Sequence, residues 1–325
     1  MNWTGRRVLV TGGAGFIGSH LVEALLERGA QVTAFVRYTS RSSIGFLASL
    51  GGSVGVVTGD LSEFDSVQGA MRNQEYVFHL GALIGIPYSF VHPREVVSVN
   101  TIGTLNVLTA ARDTKPARVI LTSTSEVYGT ARYVPMDEEH PLQAQSPYAA
   151  SKIAADKLGE SFFHAYQVPL SIVRPFNTFG PRQSMRAVIP TIIVQALKSS
   201  RVRLGATAPT RDFTFVKDTA QGFVRVAEVE AAIGEVVNLG TGREISVNDL
   251  ASRIASLVGR DVQVITDEQR LRPGTSEVQR LCCNPAKAKR LTGWEARHSL
   301  DEGLLQTIDW LRQSHDIAEP ERYQV

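Results

Sequence analysis

Between Leu121 and Lys152 lie Thr124, Ser125, Glu126, Tyr148 and Lys152, residue types able to do chemistry. Tyr148 and Lys152 form a Tyr-x-x-x-Lys pair directly after Pro147. Proline suits the first turn of a helix, where its fixed φ is already helical and its missing N–H is not needed. The pair then sits one turn apart on one face. An ammonium beside a phenol stabilises the phenolate and lowers its pKa. An unperturbed tyrosine titrates near ~10 and is a poor base at neutral pH; with the cation beside it, Tyr148 is expected to take the proton of a hydroxyl. Tyr-x-x-x-Lys alone is common on helix surfaces, so its weight depends on the elements around it.

Those elements alternate strand and helix from the start. Arg7 to Thr11 reads as a strand, and the glycines Gly12, Gly15 and Gly18 follow at a strand-to-helix turn. Phe16, Ile17, Leu21, Val22, Leu25 and Leu26 continue with helical spacing, and Gly29 closes the helix. Such a turn lets the backbone approach a pyrophosphate, which the free N–H groups and positive dipole end of the helix hold. The next strand, Gln31 to Val36, ends in Arg37 rather than the acid that would accept the ribose hydroxyls of NAD. Arg37, Ser40 and Arg41 suit a 2′-phosphate, so the loop favours NADP over NAD. Further strands are expected at Val54–Thr58, Tyr76–Leu80, Arg118–Thr124 and Leu170–Arg174, with a helix over Pro93–Arg112 that contains Asn100. Asn100 is either a locally bonded amide or a functional one. Asp60, after the third strand, is placed to meet the adenine amine. The fifth strand delivers Thr124, Ser125 and Glu126 to the carboxyl edge of the sheet, where ligands of open parallel sheets bind.

The expected fold is α/β: a Rossmann-type doubly wound parallel sheet with a smaller α/β substrate-binding lobe. The NAD(P)-binding part spans 1–175 plus a segment returning to the sheet over about 213–240. The smaller, substrate-binding lobe spans 176–212 and 241–325.

The composition excludes several classes of function. The chain has 325 residues, 43% hydrophobic and 20% charged, with a net charge of +2. No charge bias points to nucleic acid or a membrane surface. No run of ~18 apolar residues predicts a membrane span, and the N-terminus lacks the pattern of a signal peptide. Cys282 and Cys283 are sequence neighbours and make no useful disulfide; free thiols fit a cytoplasmic location. No metal-ligand spacing is visible, and His79, after an apolar strand, reads as a packed core residue.

Taken together, TGGAGFIG, Asp60-Leu61, STSEVYG, SPYAASK and RPFNTFGPRQ resemble the extended short-chain dehydrogenase/reductase superfamily, in particular nucleotide-sugar 4,6-dehydratases and epimerases. ALIGIPYSF, TSTSEVYGTARYVPMDEEHPL and RPFNTFGPRQSMRAVIPTII resemble dehydratases of bacterial legionaminic-acid pathways, which act on nucleotide-linked N-acetylglucosamine. The resemblance implies a tightly bound, recycled cofactor and a homodimer built on a four-helix bundle. It implies that Tyr148 takes the C4 hydroxyl proton, Thr124 bonds that hydroxyl, Lys152 holds the nicotinamide ribose and Glu126 removes the C5 proton. It places Leu61, Leu80, Ala82, Asn100 and Pro175 along the cofactor with Gly12, Gly15, Phe16, Ile17 and Gly18. It places Tyr88, Asn177, Ile189, Pro190, Arg211 and Arg272 against the nucleotide sugar. Ser125 departs from the glucose-type dehydratases, which carry an aspartic acid there to protonate the leaving hydroxyl. UDP-glucuronate decarboxylation, C4 epimerisation and 5,6-dehydration therefore stay open. A non-catalytic NADP-binding regulator would be expected to have lost Tyr148, Lys152 or Glu126, and all three are present.

Overall fold

The computed structural model describes residues 1–38 and 44–313. In chain order its elements are β1 (Arg7–Thr11), α1 (Phe16–Leu26), β2 (Gln31–Arg37), β3 (Gly55–Gly59), α2 (Phe64–Met71), β4 (Tyr76–His79), α3 (Ile86–Val91), α4 (Pro93–Val97), α5 (Gly103–Thr114), β5 (Arg118–Thr122), α6 (Pro147–Tyr166), β6 (Leu170–Pro175) and β7 (Asn177–Phe179). There follow α7 (Val188–Lys198), β8 (Arg201–Leu204), β9 (Thr210–Phe215), α8 (Val216–Glu228), β10 (Val236–Leu239), β11 (Glu244–Ser246), α9 (Val247–Val258), β12 (Gln263–Thr266), α10 (Ala286–Thr292) and α11 (Leu300–Gln313).

Side chains alternate across a strand, and β1 shows what this requires of a central strand. Val8 and Val10 pack on one face with Leu21 of α1 and Phe223 of α8. Leu9 packs on the other with Met71, Leu108 and Phe162 from α2, α5 and α6. With both faces covered, its interior positions Val8 to Val10 are apolar, and Thr11 at its end is buried with its hydroxyl on His79. Seven strands pair in the order β10-β6-β5-β4-β1-β2-β3, all parallel. The order reverses between β1 and β4, and the crevice at such a reversal is where ligands of these sheets bind.

The smaller layers are a three-stranded sheet, β11-β9-β7, and a two-stranded sheet, β12-β8. Their core joins Phe179, Phe213 and Phe215 to Ile192, Leu250 and Leu304 of α7, α9 and α11. β9 pairs with β7 and β11, so the segment expected to return over 213–240 re-enters the main layer only with α8 and β10. The expected continuous helix over 93–112 contains a π turn, Ser98–Ile102. There Thr104 Oγ1 donates to the Asn100 carbonyl at 2.6 Å, and the Asn100 side chain is drawn away from the helix.

His79 is buried between Thr11 Oγ1, 2.8 Å from Nδ1, and Thr104 Oγ1, 3.0 Å from Nε2. It therefore ties β4 to β1 and α5. Burial, with the nearby Lys152 cation, pushes its pKa down to about 3. The unfolded chain takes up this proton near pH ~6.5, whereas the native protein does not until about 3. The stabilisation is thus complete above 6.5 and declines as pH falls towards 3. His79→Gln should lose less stability than the wild type between pH 7 and 5, read as the shift in urea midpoint. Identical pH dependence in the two proteins would remove His79 from the acid response.

Candidate active site

The expected catalytic residues come together at the carboxyl ends of β5 and β6. Thr124 caps the 3₁₀ turn Ser125–Tyr128, its Oγ1 accepting the Glu126 N–H at 3.2 Å. Its side chain also hydrogen-bonds Tyr148 on α6. Ser146 Oγ accepts the Ala149 N–H at 3.1 Å, and with Pro147 at the first position this starts α6 where the pattern expects. Ser125, Tyr148 and Lys152 are all buried.

The expected depression of the Tyr148 pKa by Lys152 is not what the geometry gives. Burial raises the phenol pKa; the bond from Thr124 opposes this, and the charges of Glu126 and Asp156 add to it. The Lys152 ammonium instead donates to the Thr122 carbonyl at 2.5 Å. Its own pKa is pushed down to about 8 by burial, against the pull of Asp156. Each group is costly to ionise alone in a dry site, and the side chains share a face without sharing a proton.

Asp156 lies one turn beyond Lys152 and completes this face of α6. Its Oδ2 accepts from Ser123 Oγ at 2.8 Å and from Arg174 Nε at 3.0 Å. Arg174 also donates to Tyr128 Oη at 3.0 Å, and Tyr128 donates to Asn238 Oδ1 at 2.7 Å. Asn238 N–H reaches Glu138 Oε1 at 2.8 Å. This chain fastens β5, α6, β6 and β10 together beneath the catalytic turn. Sequence reasoning missed it, although the 148, 152, 156 spacing was available as a signal.

The glycine turn forms an open cradle. Gly12 has φ +71°, and a Cβ there would lie 2.8 Å from the Gly81 nitrogen. A Cβ on Gly18 would overlap the Gly12 carbonyl oxygen. Gly15 and the partly buried Phe16 and Ile17 complete the entry to α1, whose N-terminus can receive a pyrophosphate. Leu80, Ala82 and Pro175 lie at or just beyond the ends of β4 and β6. Thr122 Oγ1 and Asn177 Oδ1 are buried without a hydrogen-bond partner among the described residues. Cradle, buried ammonium and orphaned oxygens together fit a dinucleotide with a polar ligand beside it.

Several expected contacts are committed elsewhere. Asn100 uses both amide hydrogens, on the Leu83 carbonyl and Ser151 Oγ at 3.0 Å each, and accepts the Leu83 N–H at 2.8 Å. It has no donor left for a cofactor and acts as a strap between the β4 loop and α6. Ile189 and Pro190 are buried, Ile189 in the phenylalanine-rich core, so their side chains are not open to a sugar. Leu61 packs in the core, where its side chain fills the space beneath Gly81 and Gly103. Asp60 accepts from Ser62 N–H and Oγ–H, which lower its pKa. Tyr88 donates to Glu95 Oε2 at 2.5 Å, and Arg37 lies 3.8 Å from the same carboxylate. Ser40 and Arg41 lie outside the described residues.

Arg211 is almost fully buried yet feels the charge of Glu126. It and Arg272 both reach Glu277, at 3.2 and 3.5 Å. Sequence reasoning missed Glu277, Glu95 and Gln183. Gln183 donates to the Thr178 carbonyl at 3.0 Å, and its Oε1 has no partner among the described residues. No group of three His, Cys, Asp or Glu able to hold a metal occurs among the described residues. Cys282 and Cys283 are free and buried, and no helix there is long and apolar enough to cross a membrane.

Residues 9–307 match the family model described as GDP-mannose 4,6 dehydratase. A putative UDP-glucose 4-epimerase of Methanocaldococcus jannaschii is 31% identical over 95% of this chain and 99% of its own length. UDP-glucuronic acid decarboxylase 1 of Xenopus tropicalis is 33% identical over 95% of this chain and 72% of its own. A dTDP-glucose 4,6-dehydratase double mutant from Streptomyces venezuelae, solved with NAD and DAU bound, superposes with a TM-score of 0.85 at 27% identity, over 94% of this chain and 97% of that one.

The burial of Lys152 has a direct readout. Lysine side-chain NMR should show one ammonium that loses its proton near pH 8, absent in Lys152→Met and moved lower in Asp156→Asn. The absence of any lysine titrating below pH ~9.5, well short of its ordinary value, would show that the site is wetter than its geometry.

Proposed function

The chain belongs to the extended short-chain dehydrogenase/reductase family of nucleotide-sugar dehydratases, epimerases and decarboxylases, and from that membership we propose that it is an NAD(P)-dependent nucleotide-sugar 4,6-dehydratase. The proposed substrate is a nucleoside-diphosphate-linked N-acetylglucosamine or a related hexose. The observation that carries this reading is the position of Glu126, whose charge acts on both Tyr148 and Arg211. Epimerisation at C4 needs only Thr124, Tyr148 and Lys152 and leaves Glu126 without a task.

A bound nicotinamide, held at the glycine turn and by Lys152, would supply a reversible hydride acceptor for the sugar C4 and donor for C6. Tyr148 removes the C4 hydroxyl proton, and Thr124 orients that hydroxyl. Lys152 holds the nicotinamide ribose and offers the positive charge a phenolate needs. The C4 ketone acidifies C5–H, and Glu126 takes this proton. Ser125 offers no acid, so Glu126, now protonated, delivers the proton to the C6 oxygen, which departs as water; a solvent proton then reaches C5 as the hydride reaches C6, and Tyr148 releases its proton to solvent. Asn177, Arg211 and Arg272 hold the sugar and its diphosphate. We read the face formed by α4, the π turn and α6, where Val97, Ile102 and Tyr166 are exposed, as the homodimer surface, paired as a four-helix bundle.

Ser125 favours a second reading, UDP-glucuronate decarboxylation, in which the same C4 oxidation makes a β-keto acid and no leaving-group acid is required. Mass spectrometry of turnover in D2O separates the two. UDP-GlcNAc, GDP-GlcNAc, GDP-mannose, dTDP-glucose and UDP-glucuronate are offered separately, with NADP and with NAD. Loss of water with deuterium at C5 is expected, together with loss of product by at least about 100-fold in Glu126→Gln and in Tyr148→Phe, the scale of removing a general base. Loss of CO2 from UDP-glucuronate alone would replace the dehydratase reading.

Cofactor choice is proposed to favour NADP through Arg37, although the solved Streptomyces dehydratase holds NAD. Arg37→Ala should weaken NADP by about 10-fold, the worth of one charge-assisted contact, and leave NAD unchanged. Equal losses for both cofactors in calorimetry would show that Arg37 does not read the 2′-phosphate.

A further inference from the structure

Arg211 and Arg272 do not stand as two open cations. Both guanidinium groups end on one oxygen, Glu277 Oε1, at 3.2 Å from Arg211 Nη2 and 3.5 Å from Arg272 Nη1. A second nitrogen of Arg211 donates to the Thr210 carbonyl at 2.9 Å. Glu277 itself is largely buried, with a side-chain exposure of 15%. Its backbone is held on both sides. Gln145 Nε2 donates to the Thr275 carbonyl at 3.0 Å, and Gln279 N–H to Thr130 Oγ1 at 3.1 Å. The Thr210 N–H bonds the Gln279 carbonyl at 3.0 Å. The same contacts tie this loop to the segment leading into Tyr148 and to the strand carrying Arg211. The carboxylate is thus fixed between the two cations by the fold.

On the nucleotide-sugar reading, on which this inference rests, the arginine pair receives a diphosphate. Two anions cannot share the same donors without strong repulsion. We propose that Glu277 is a built-in counter-anion of the diphosphate subsite: it occupies Arg211 and Arg272 in the free protein and is displaced when a nucleoside diphosphate arrives. The displacement is a rotation of the Glu277 side chain on a fixed backbone. It makes Glu277 a specificity-determining residue, because a ligand must bring enough negative charge to take both guanidinium groups. A nucleoside or a monophosphate competes poorly for the pair, and a diphosphate succeeds. A purely structural carboxylate would instead support the arginines for the ligand, and its loss would weaken binding.

The test is calorimetric titration of the cofactor-loaded protein at low salt with UDP, GDP, dTDP and inorganic diphosphate, and with uridine as an uncharged control. Glu277→Gln should bind the diphosphates at least about 10-fold more tightly than the wild type, with uridine unchanged. The gain should shrink as salt is raised, because charge competition is screened. Glu277→Asp, one methylene short of the pair, should show a smaller gain in the same direction, and it decides the matter if Glu277→Gln loses its cooperative melt. Equal or weaker binding of diphosphates by the variants, with the wild type binding normally, would overturn the counter-anion role alone. Failure of the wild type to bind any of the nucleoside diphosphates would overturn the nucleotide-sugar reading and this role with it.

Discussion

The site depends on one buried carboxylate. Asp156 sits under the catalytic face of α6 and is held by Ser123 from the end of β5 and by Arg174 from β6. A charge buried in this way is costly unless paired and fully hydrogen-bonded, and here every partner comes from a different element. The pairing therefore fixes the rotation of α6 and its height on the sheet together. Tyr148, Lys152 and Asp156, each four residues apart, then present one line of side chains to the crevice. Arg174 carries the constraint on to Tyr128, whose ring it also covers at 5.0 Å, and so to Asn238 on β10. The strand that returns last in the sequence is thus locked to the turn that carries Glu126.

The same burial that gives precision sets the terms of the chemistry. A phenolate alone or an ammonium alone is disfavoured in such a place, which is why Tyr148 is pushed up and Lys152 down. A close phenolate–ammonium pair would offset that penalty only with good geometry and further hydrogen bonds to both partners. On the dehydratase reading, a phenolate at Tyr148 would draw on the Lys152 ammonium, which in the free protein donates to the Thr122 carbonyl.

Much of the fold was legible because it is local or periodic. The glycine turn, the apolar β1 and the Pro147 start of α6 each declare themselves within a few residues. What was not legible is partnership across the chain. Asn100 looked like a candidate ligand contact, but its amide is spent on Leu83 and Ser151, 17 and 51 residues away. Ile189 and Pro190 sat in a motif that resembles a substrate loop, yet the smaller core takes the Ile189 side chain. Arg37 read as an open cation, and Glu95, 58 positions further on, approaches it. Tyr148 and Lys152 were placed correctly on one face, while their pKa shifts depend on burial, which spacing does not report.

The choice among reactions narrows to the short turn after β5. Within Ser123–Tyr128 the titratable side chains are Glu126 and Tyr128. Tyr128 is committed, donating to Asn238 and accepting from Arg174, and its pKa is raised by burial. On the dehydratase reading, one carboxyl group must then serve both ends of the elimination. The proton it takes from C5 is the proton it gives to the departing oxygen, so no second acid is needed where Ser125 stands. This demands that Glu126 reach two adjacent carbons from one position. The Arg211 guanidinium, proposed to hold the diphosphate, is coupled by charge to Glu126, so on this reading the base and the diphosphate subsite lie within reach of one another.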